Sequence, residues 1–139
     1  MSKSYSELIT FNSFKERYEY LKLLKGVGVE TFGSYRYLNQ MLYHDSEWKS
    51  IRTRVIIRDH GCDLGIPGRE IQSGICIHHI DPICKDDVVN RSSKVFDLNN
   101  LICCSHKTHI RRFPLHHYFL RSSDCCQRKE HYNYHQLLS

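Results

Sequence analysis

The sequence predicts an α+β fold in which an N-terminal helical region packs on a C-terminal strand–loop–strand–helix (ββα) unit. Apolar residues recur at helical spacing in the first part of the chain, and two short apolar runs separated by a polar connection follow further on. A chain of 139 residues is in the size range of one domain. We divide it into a helical region (1–60), the ββα unit (61–113) and a C-terminal tail (114–139).

Three helices are predicted in the N-terminal region. Residues 13–24 place Phe14, Tyr18, Leu21 and Leu24 at helical spacing, which indicates an amphipathic helix whose aromatic residues pack in a core. A second helix is expected over 35–43 and a third over 47–59. The third turns Trp48, Ile51, Val55 and Ile56 inward and leaves Arg52, Arg54 and Arg58 facing solvent.

The ββα unit is predicted from the second part of the chain. Residues 61–70 contain three glycines and a proline, which mark turns. The apolar run 75–77 is suited to a strand that ends in His78 and His79, and residues 101–103 are suited to a returning strand. The polar segment after Pro82 is expected to be a loop, and a helix containing histidine is expected after the second strand.

Composition sets broad limits on the partners and surroundings of the chain. Twenty Lys and Arg against fifteen Asp and Glu give a formal charge of +5, which favours a polyanionic partner. No window has the roughly twenty apolar residues that span a bilayer, and no apolar signal segment begins the chain. The seven cysteines include two adjacent pairs and no C-x-x-C pair, so we expect reduced thiols in the cytoplasm.

The paired histidines suggest hydrolytic chemistry. A neutral imidazole accepts a proton near neutral pH, and the same kind of nitrogen binds transition metals. Adjacent residues of a strand point to opposite sides, so His78 and His79 are expected to divide two tasks. One binds a metal ion, and the other faces the bond that is cut.

Four blocks of the sequence resemble the HNH endonuclease family, in particular its small phage-encoded members. They are EWKSIRTRVIIRDHGCDLG, IHHIDP, FDLNNLI and KTHI, in the family's order, and the resemblance runs from about Tyr5 to His109. It implies a ββα-metal (HNH) finger and hydrolysis of DNA phosphodiester bonds. It also implies one divalent ion (Mg, Mn, Ni or Zn), a host-cell cytoplasmic setting and phage packaging or other phage proteins as partners.

The resemblance also implies roles for individual residues. His78 and His109 are metal ligands, and His79 is the general base that deprotonates the attacking water. Asn100 ties the connecting loop together and helps to orient the base; the alternative is that Asn100 is simply a turn residue. Asp81 and Pro82 shape the loop.

The family pattern breaks after His109. Members of this kind supply a further ligand one helical turn later, where this chain has Phe113, which has no donor atom. His106, His116, His117 or a carboxylate are the candidates for the missing ligand. The tail departs from the family ending, either through a reading-frame change shortly after Thr108 or as a divergent basic segment that contacts DNA.

Two other functions stay open from the sequence. A catalytically impaired DNA-binding module would keep the finger with an incomplete metal site. A structural zinc protein would fold only with its metal, and Cys103, Cys104 and His106 would be an alternative soft site, although adjacent cysteines suit tetrahedral coordination poorly.

Overall fold

The computed structural model describes residues 2–22 and 36–108, which combine helices with small antiparallel sheets in an α+β arrangement. The predicted fold class is therefore confirmed at this level. The predicted ligand His109, Phe113 and the tail 114–139 lie outside the described residues.

Two short helices begin the chain: α1 (Tyr5–Leu8) and α2 (Phe14–Leu21). Ser13 caps α2 through a reciprocal capping box with Glu16, which explains why the helix begins there. The predicted helix is confirmed up to Leu21 but ends earlier than expected, because Lys22 has an extended ψ of 138°; residues 23–24 lie outside the described residues. The expected burial of its aromatic residues is wrong, because Phe14 and Tyr18 are 52% and 39% exposed.

The next two helices, α3 (Arg36–His44) and α4 (Ser46–Arg58), agree with the predicted second and third helices to within one or two residues. Asp45 begins α4 by accepting a hydrogen bond from the Trp48 backbone N–H at 3.1 Å. The four residues predicted to face inward are all buried: Trp48, Ile51, Val55 and Ile56. The expected solvent position of Arg58 is wrong, because its guanidinium donates hydrogen bonds to the backbone oxygens of Leu98 and Leu101.

The central element is an antiparallel hairpin of β3 (Ile75–His79) and β4 (Leu101–Ser105), in which His78 pairs with Ile102 and His79 with Leu101. Both predicted strands are confirmed. The segment expected to contain only turns also includes a two-residue ladder, β1 (Cys62–Asp63) with β2 (Arg69–Glu70). The expected polar loop contains α5 (Lys85–Val89), α6 (Ser93–Phe96) and a 3₁₀ turn (Leu98–Asn100), so the prediction of an irregular connection is wrong.

The hairpin lies between two apolar clusters. The first cluster includes Leu101 with buried residues of α3 and α4, and the second includes Ile102 with Leu8 and Leu21 of α1 and α2. Adjacent residues of β4 therefore enter different clusters, as strand alternation requires. Each face of the hairpin is covered by a different pair of helices.

The cysteines do not all share one state. Cys62, Cys84, Cys103 and Cys104 are reduced thiols, as expected. Cys76 is disulfide-bonded, so the expectation of reduced thiols throughout is wrong at this position. Burial raises the pKa of the Cys103 thiol.

Candidate active site

The two predicted functional histidines project from opposite faces of β3. His78 is 2% exposed and shares a face with Ile102, because directly paired antiparallel residues project to the same side. His79 is half-buried and shares the other face with Leu101. The two imidazoles therefore lie on opposite faces of the hairpin, as strand alternation predicts.

The His79 ring contacts the backbone of Val95 and the side chain of Trp48. Its Nε2 lies 3.0 Å from the backbone oxygen of Val95 in α6, and its plane stacks on the Trp48 indole with centroids 5.5 Å apart and an angle of 18°. A carbonyl oxygen only accepts hydrogen bonds, so Nε2 is the donor. In the neutral ring the nitrogen that accepts a proton is consequently Nδ1.

The Asn100 side chain connects the two ends of the segment between β3 and β4. It is 5% exposed, and its Oδ1 accepts from the Asp81 backbone N–H at 2.7 Å. Its Nδ2 donates to the backbone oxygens of Asp81 at 3.0 Å and Lys94 at 3.1 Å. Lys94 directly precedes Val95, so this amide fixes the peptide whose neighbour binds the His79 ring. His79 and Asn100 thus belong to one network, which agrees with the expected loop-tying position of Asn100.

Arg58 and Asp59 hold the strand that follows Asn100, a function that sequence reasoning missed. Arg58 donates to the backbone oxygens of Leu98 and Leu101, at 2.6 and 2.5 Å, and its Nε is 2.7 Å from the buried Asp59 carboxylate. Asp59 in turn accepts from the Cys103 backbone N–H at 2.9 Å. The end of α4 therefore clamps the 3₁₀ turn and β4 on either side of Asn100.

Asp63 anchors the beginning of the helix after β4. Its carboxylate is 1% exposed and accepts from the Ser105 N–H and hydroxyl, at 3.2 and 2.9 Å, and from the Thr108 hydroxyl. Ser105 caps this helix, which begins at His106, by accepting from the Thr108 N–H at 3.2 Å. An added Cβ at Gly65 would lie 2.8 Å from the Thr108 side chain, so a glycine is needed at that close approach.

The sequence carried one signal for these anchoring residues. Arg58, Asp59, Asp63 and Gly65 all belong to the end of the first quoted block, RDHGCDLG, in which Arg58 and Asp59 were predicted only as the end of a helix and Asp63 and Gly65 only as part of a turn segment. Their partners in the 3₁₀ turn, in β4 and after it are forty or more positions away in the chain, where no local pattern reveals them.

A charged pocket lies beside this network. It has a volume of about 430 Å³ and is lined by Glu47, Arg91, Ser93, Phe96 and Asp97. Arg91 binds Asp45 at 2.7 Å and Glu47 at 2.6 Å, and its guanidinium lies over the Phe96 ring. The hydrogen bond from Arg91, together with that from the Trp48 N–H, holds the pKa of Asp45 below its ordinary value.

The described residues contribute one imidazole, His78, to the predicted metal site. Within residues 2–22 and 36–108, no group of three or more His, Cys, Asp or Glu side chains is arranged to hold a metal ion. His106, one candidate for a further ligand, is exposed at the beginning of its helix, and His109 lies outside the described residues. The described residues therefore do not form the predicted site by themselves.

Comparisons with protein-family models, curated proteins and solved structures gave no match for this chain. Among the helices of the described part of the chain, none combines the length and apolar character that crossing a bilayer requires.

Proposed function

We propose that the protein is an HNH-type, metal-dependent endonuclease that hydrolyses DNA phosphodiester bonds, with His79 as general base. The observation that carries the proposal is the hydrogen bond from His79 Nε2 to the Val95 carbonyl, held in place through Asn100. A base histidine needs a fixed tautomer and a fixed ring orientation, and this network supplies both.

The proposed chemistry of the chain's own groups follows from this tautomer. His79 Nδ1 takes a proton from a water molecule, and the oxygen of that water forms a bond to phosphorus while the bond to the leaving oxygen breaks. The Val95 carbonyl and the face of the Trp48 indole both favour the positive ring that results. Asn100 is a positioning residue, because it acts through the backbone of Lys94 and Val95.

The proposed metal site uses one divalent ion with His78 and His109 as ligands, and the ββα-metal finger is the proposed arrangement around it. The proposed setting is the cytoplasm of a host cell, with DNA as partner and phage packaging proteins as further partners. The sequence resemblance and the net charge of +5 support these proposals.

Plasmid nicking with added Mg²⁺, Mn²⁺, Ni²⁺ or Zn²⁺ tests the activity. His79→Ala and His79→Gln are both expected to lower the rate by about a hundredfold or more. Gln keeps an N–H for the Val95 carbonyl but is no base at neutral pH, so it separates proton transfer from packing. His44→Ala removes an exposed histidine at the end of α3 and should retain full activity. Equal activity of wild type and His79→Gln would refute the proposed base.

A catalytically impaired DNA-binding module is the second candidate, favoured by Phe113 at the position of an expected ligand. This function predicts that wild type and both His79 variants fail to nick plasmid with every metal. It also predicts that DNA binding persists and weakens steeply with added salt. Metal-stimulated nicking by the wild type would exclude it.

A further inference from the structure

Core packing alone does not explain the position of the Trp48 side chain. The side chain is 3% exposed and belongs to the first apolar cluster, but one face of its indole lies against His79 rather than an aliphatic residue. Its Nε1 is also buried without a hydrogen-bond partner among the described residues. A purely apolar residue of similar shape would fill this space without that desolvated N–H.

The stacking and the hydrogen bond constrain the His79 ring in different ways. The Val95 oxygen fixes one edge of the ring, since Nε2 must point toward it. That contact alone leaves the ring free to tilt about the line from Nε2 to the oxygen. The nearly parallel indole, at an angle of 18°, removes this tilt. Together the two contacts determine where Nδ1 points.

Trp48 is itself held from two directions. Its backbone N–H donates to the Asp45 cap at 3.1 Å, and Asp45 is paired with Arg91. Its side chain is packed in the cluster that α3, α4 and the hairpin share. The position of the indole is therefore fixed by α4 and by the first apolar cluster.

We propose that Trp48 is a positioning residue for the general base: its indole face sets the plane of the His79 imidazole and thereby aims Nδ1 at the attacking water. This inference rests on the proposed nuclease function. A misdirected base slows the chemical step, whereas it leaves binding of DNA through the backbone phosphates unchanged.

The test compares Trp48→Phe with Trp48→Leu in single-turnover and steady-state nicking. Phe retains an aromatic face, so kcat should stay within about threefold of wild type, while Leu should lower kcat by about tenfold or more with KM unchanged. Val55→Ala is the matched control, because Val55 is fully buried two turns further along α4 in the same cluster. Val55→Ala destabilises the core but keeps the Trp48 indole. The variant should therefore retain kcat under conditions in which it is folded.

An activity-independent measurement separates the inference from the proposed function. The His79 ring stacks on the indole, so its proton NMR signals should be shifted by the aromatic ring current in wild type and in Trp48→Phe, and should lose that shift in Trp48→Leu. An active wild type whose kcat is equally affected by Trp48→Leu and Val55→Ala would overturn the positioning role. So would His79 signals that do not respond to Trp48→Leu. A wild type without nicking activity would instead refute the proposed function.

Discussion

At the scale of single residues, the Asn100 side chain uses its carbonyl oxygen and its amide nitrogen in different directions. The oxygen accepts one backbone N–H, and the nitrogen donates to two backbone oxygens. No other side chain of this size offers an acceptor and two donors in one plane. The residue type at this position is therefore specified by its contacts, independently of any catalytic role.

Asn100→Asp is expected to lower the free energy of unfolding by about 2–4 kcal/mol. The change places a buried carboxylate oxygen against the carbonyl oxygens of Asp81 and Lys94, where a donor is needed. Asn99→Asp is the control, because Asn99 is exposed and uses only its oxygen, which accepts from Ser6. Urea unfolding of both variants measures the difference, and equal stabilities would contradict the structural role of the Asn100 amide.

The ionisation of Asp45 makes part of the free energy of unfolding depend on pH. The hydrogen bonds from Arg91 and from the Trp48 N–H lower the pKa of this carboxyl in the folded state. A lowered folded-state pKa stabilises the protein above the unfolded-state pKa, which is about 3.9. This stabilisation is lost as the pH falls through the folded-state pKa.

Asp45→Asn should therefore be less stable than wild type at pH 6, and the difference should shrink as the pH falls below about 4. Asn also caps helices well, so the substitution removes the charge and keeps the cap. Thermal unfolding at a series of pH values measures the difference, which high salt should reduce because Arg91 is exposed. If the difference in stability between wild type and Asp45→Asn stayed constant over this pH range, the lowered pKa of Asp45 would not contribute to stability.

At the scale of elements, α4 both covers and clamps the hairpin. Its buried face packs on one side of β3 and β4, and its last residue, Arg58, reaches the backbone of the 3₁₀ turn and of β4. The guanidinium also lies over the Tyr5 ring of α1, with the Cζ atom 3.5 Å from the centroid. One arginine thus connects α4, α1 and the segment that carries Asn100.

Arg58→Lys is expected to lower the free energy of unfolding by about 2–3 kcal/mol, because an ammonium group cannot make the same divergent hydrogen bonds from one planar fork. Arg54→Lys, at an exposed position on the same helix, should change it by less than about 0.5 kcal/mol. Chemical denaturation compares the two variants at equal net charge. A similar small effect for both would show that the clamp contributes nothing to stability.

At the scale of the whole molecule, the sequence predicted the elements whose signals are local. The inward residues of α4 follow helical spacing, and the runs that end in His79 and begin at Leu101 are short and apolar. The helices α5 and α6 were missed because four or five residues are too few for a periodic pattern, and tertiary contacts decide their conformation. Phe14 and Tyr18 have the right spacing for a buried face, but spacing does not say how much of that face a neighbour covers.

In the candidate site, too, some features could be predicted from the sequence and others could not. The roles expected for His78, His79 and Asn100 came from the resemblance of their motifs, and strand alternation predicted that the histidines lie on opposite faces. The Val95 carbonyl was beyond prediction, because a backbone oxygen leaves no mark on the residue type. Asp63 was predicted only as part of a turn segment. Its carboxylate accepts hydrogen bonds from Ser105 and Thr108, which are more than forty residues further along the chain.

The two apolar clusters raise the question of whether α1 and α2 unfold together with the rest of the described structure. Polar and aromatic contacts also join these helices to the hairpin and its neighbours, besides the second cluster itself. Ser6 donates to Asn99, Arg17 donates to the backbone oxygen of Leu64, and Tyr5 lies under Arg58. These polar links favour one cooperative unit.

Ile102→Ala tests this cooperativity, because Ile102 is fully buried in the second cluster whereas Trp48, the chain's only tryptophan, lies in the first. The substitution should lower the free energy of unfolding by about 2–5 kcal/mol. Because the clusters share the β3–β4 hairpin, helix loss by circular dichroism and the change in Trp48 fluorescence should still follow one transition with the same midpoint. Leu101→Ala, on the opposite face of β4, should behave in the same way. If Ile102→Ala lost helical signal at a lower denaturant concentration than it lost the native Trp48 fluorescence, α1 and α2 would form a separate folding unit, and the hairpin with α3 and α4 would hold the candidate site without them.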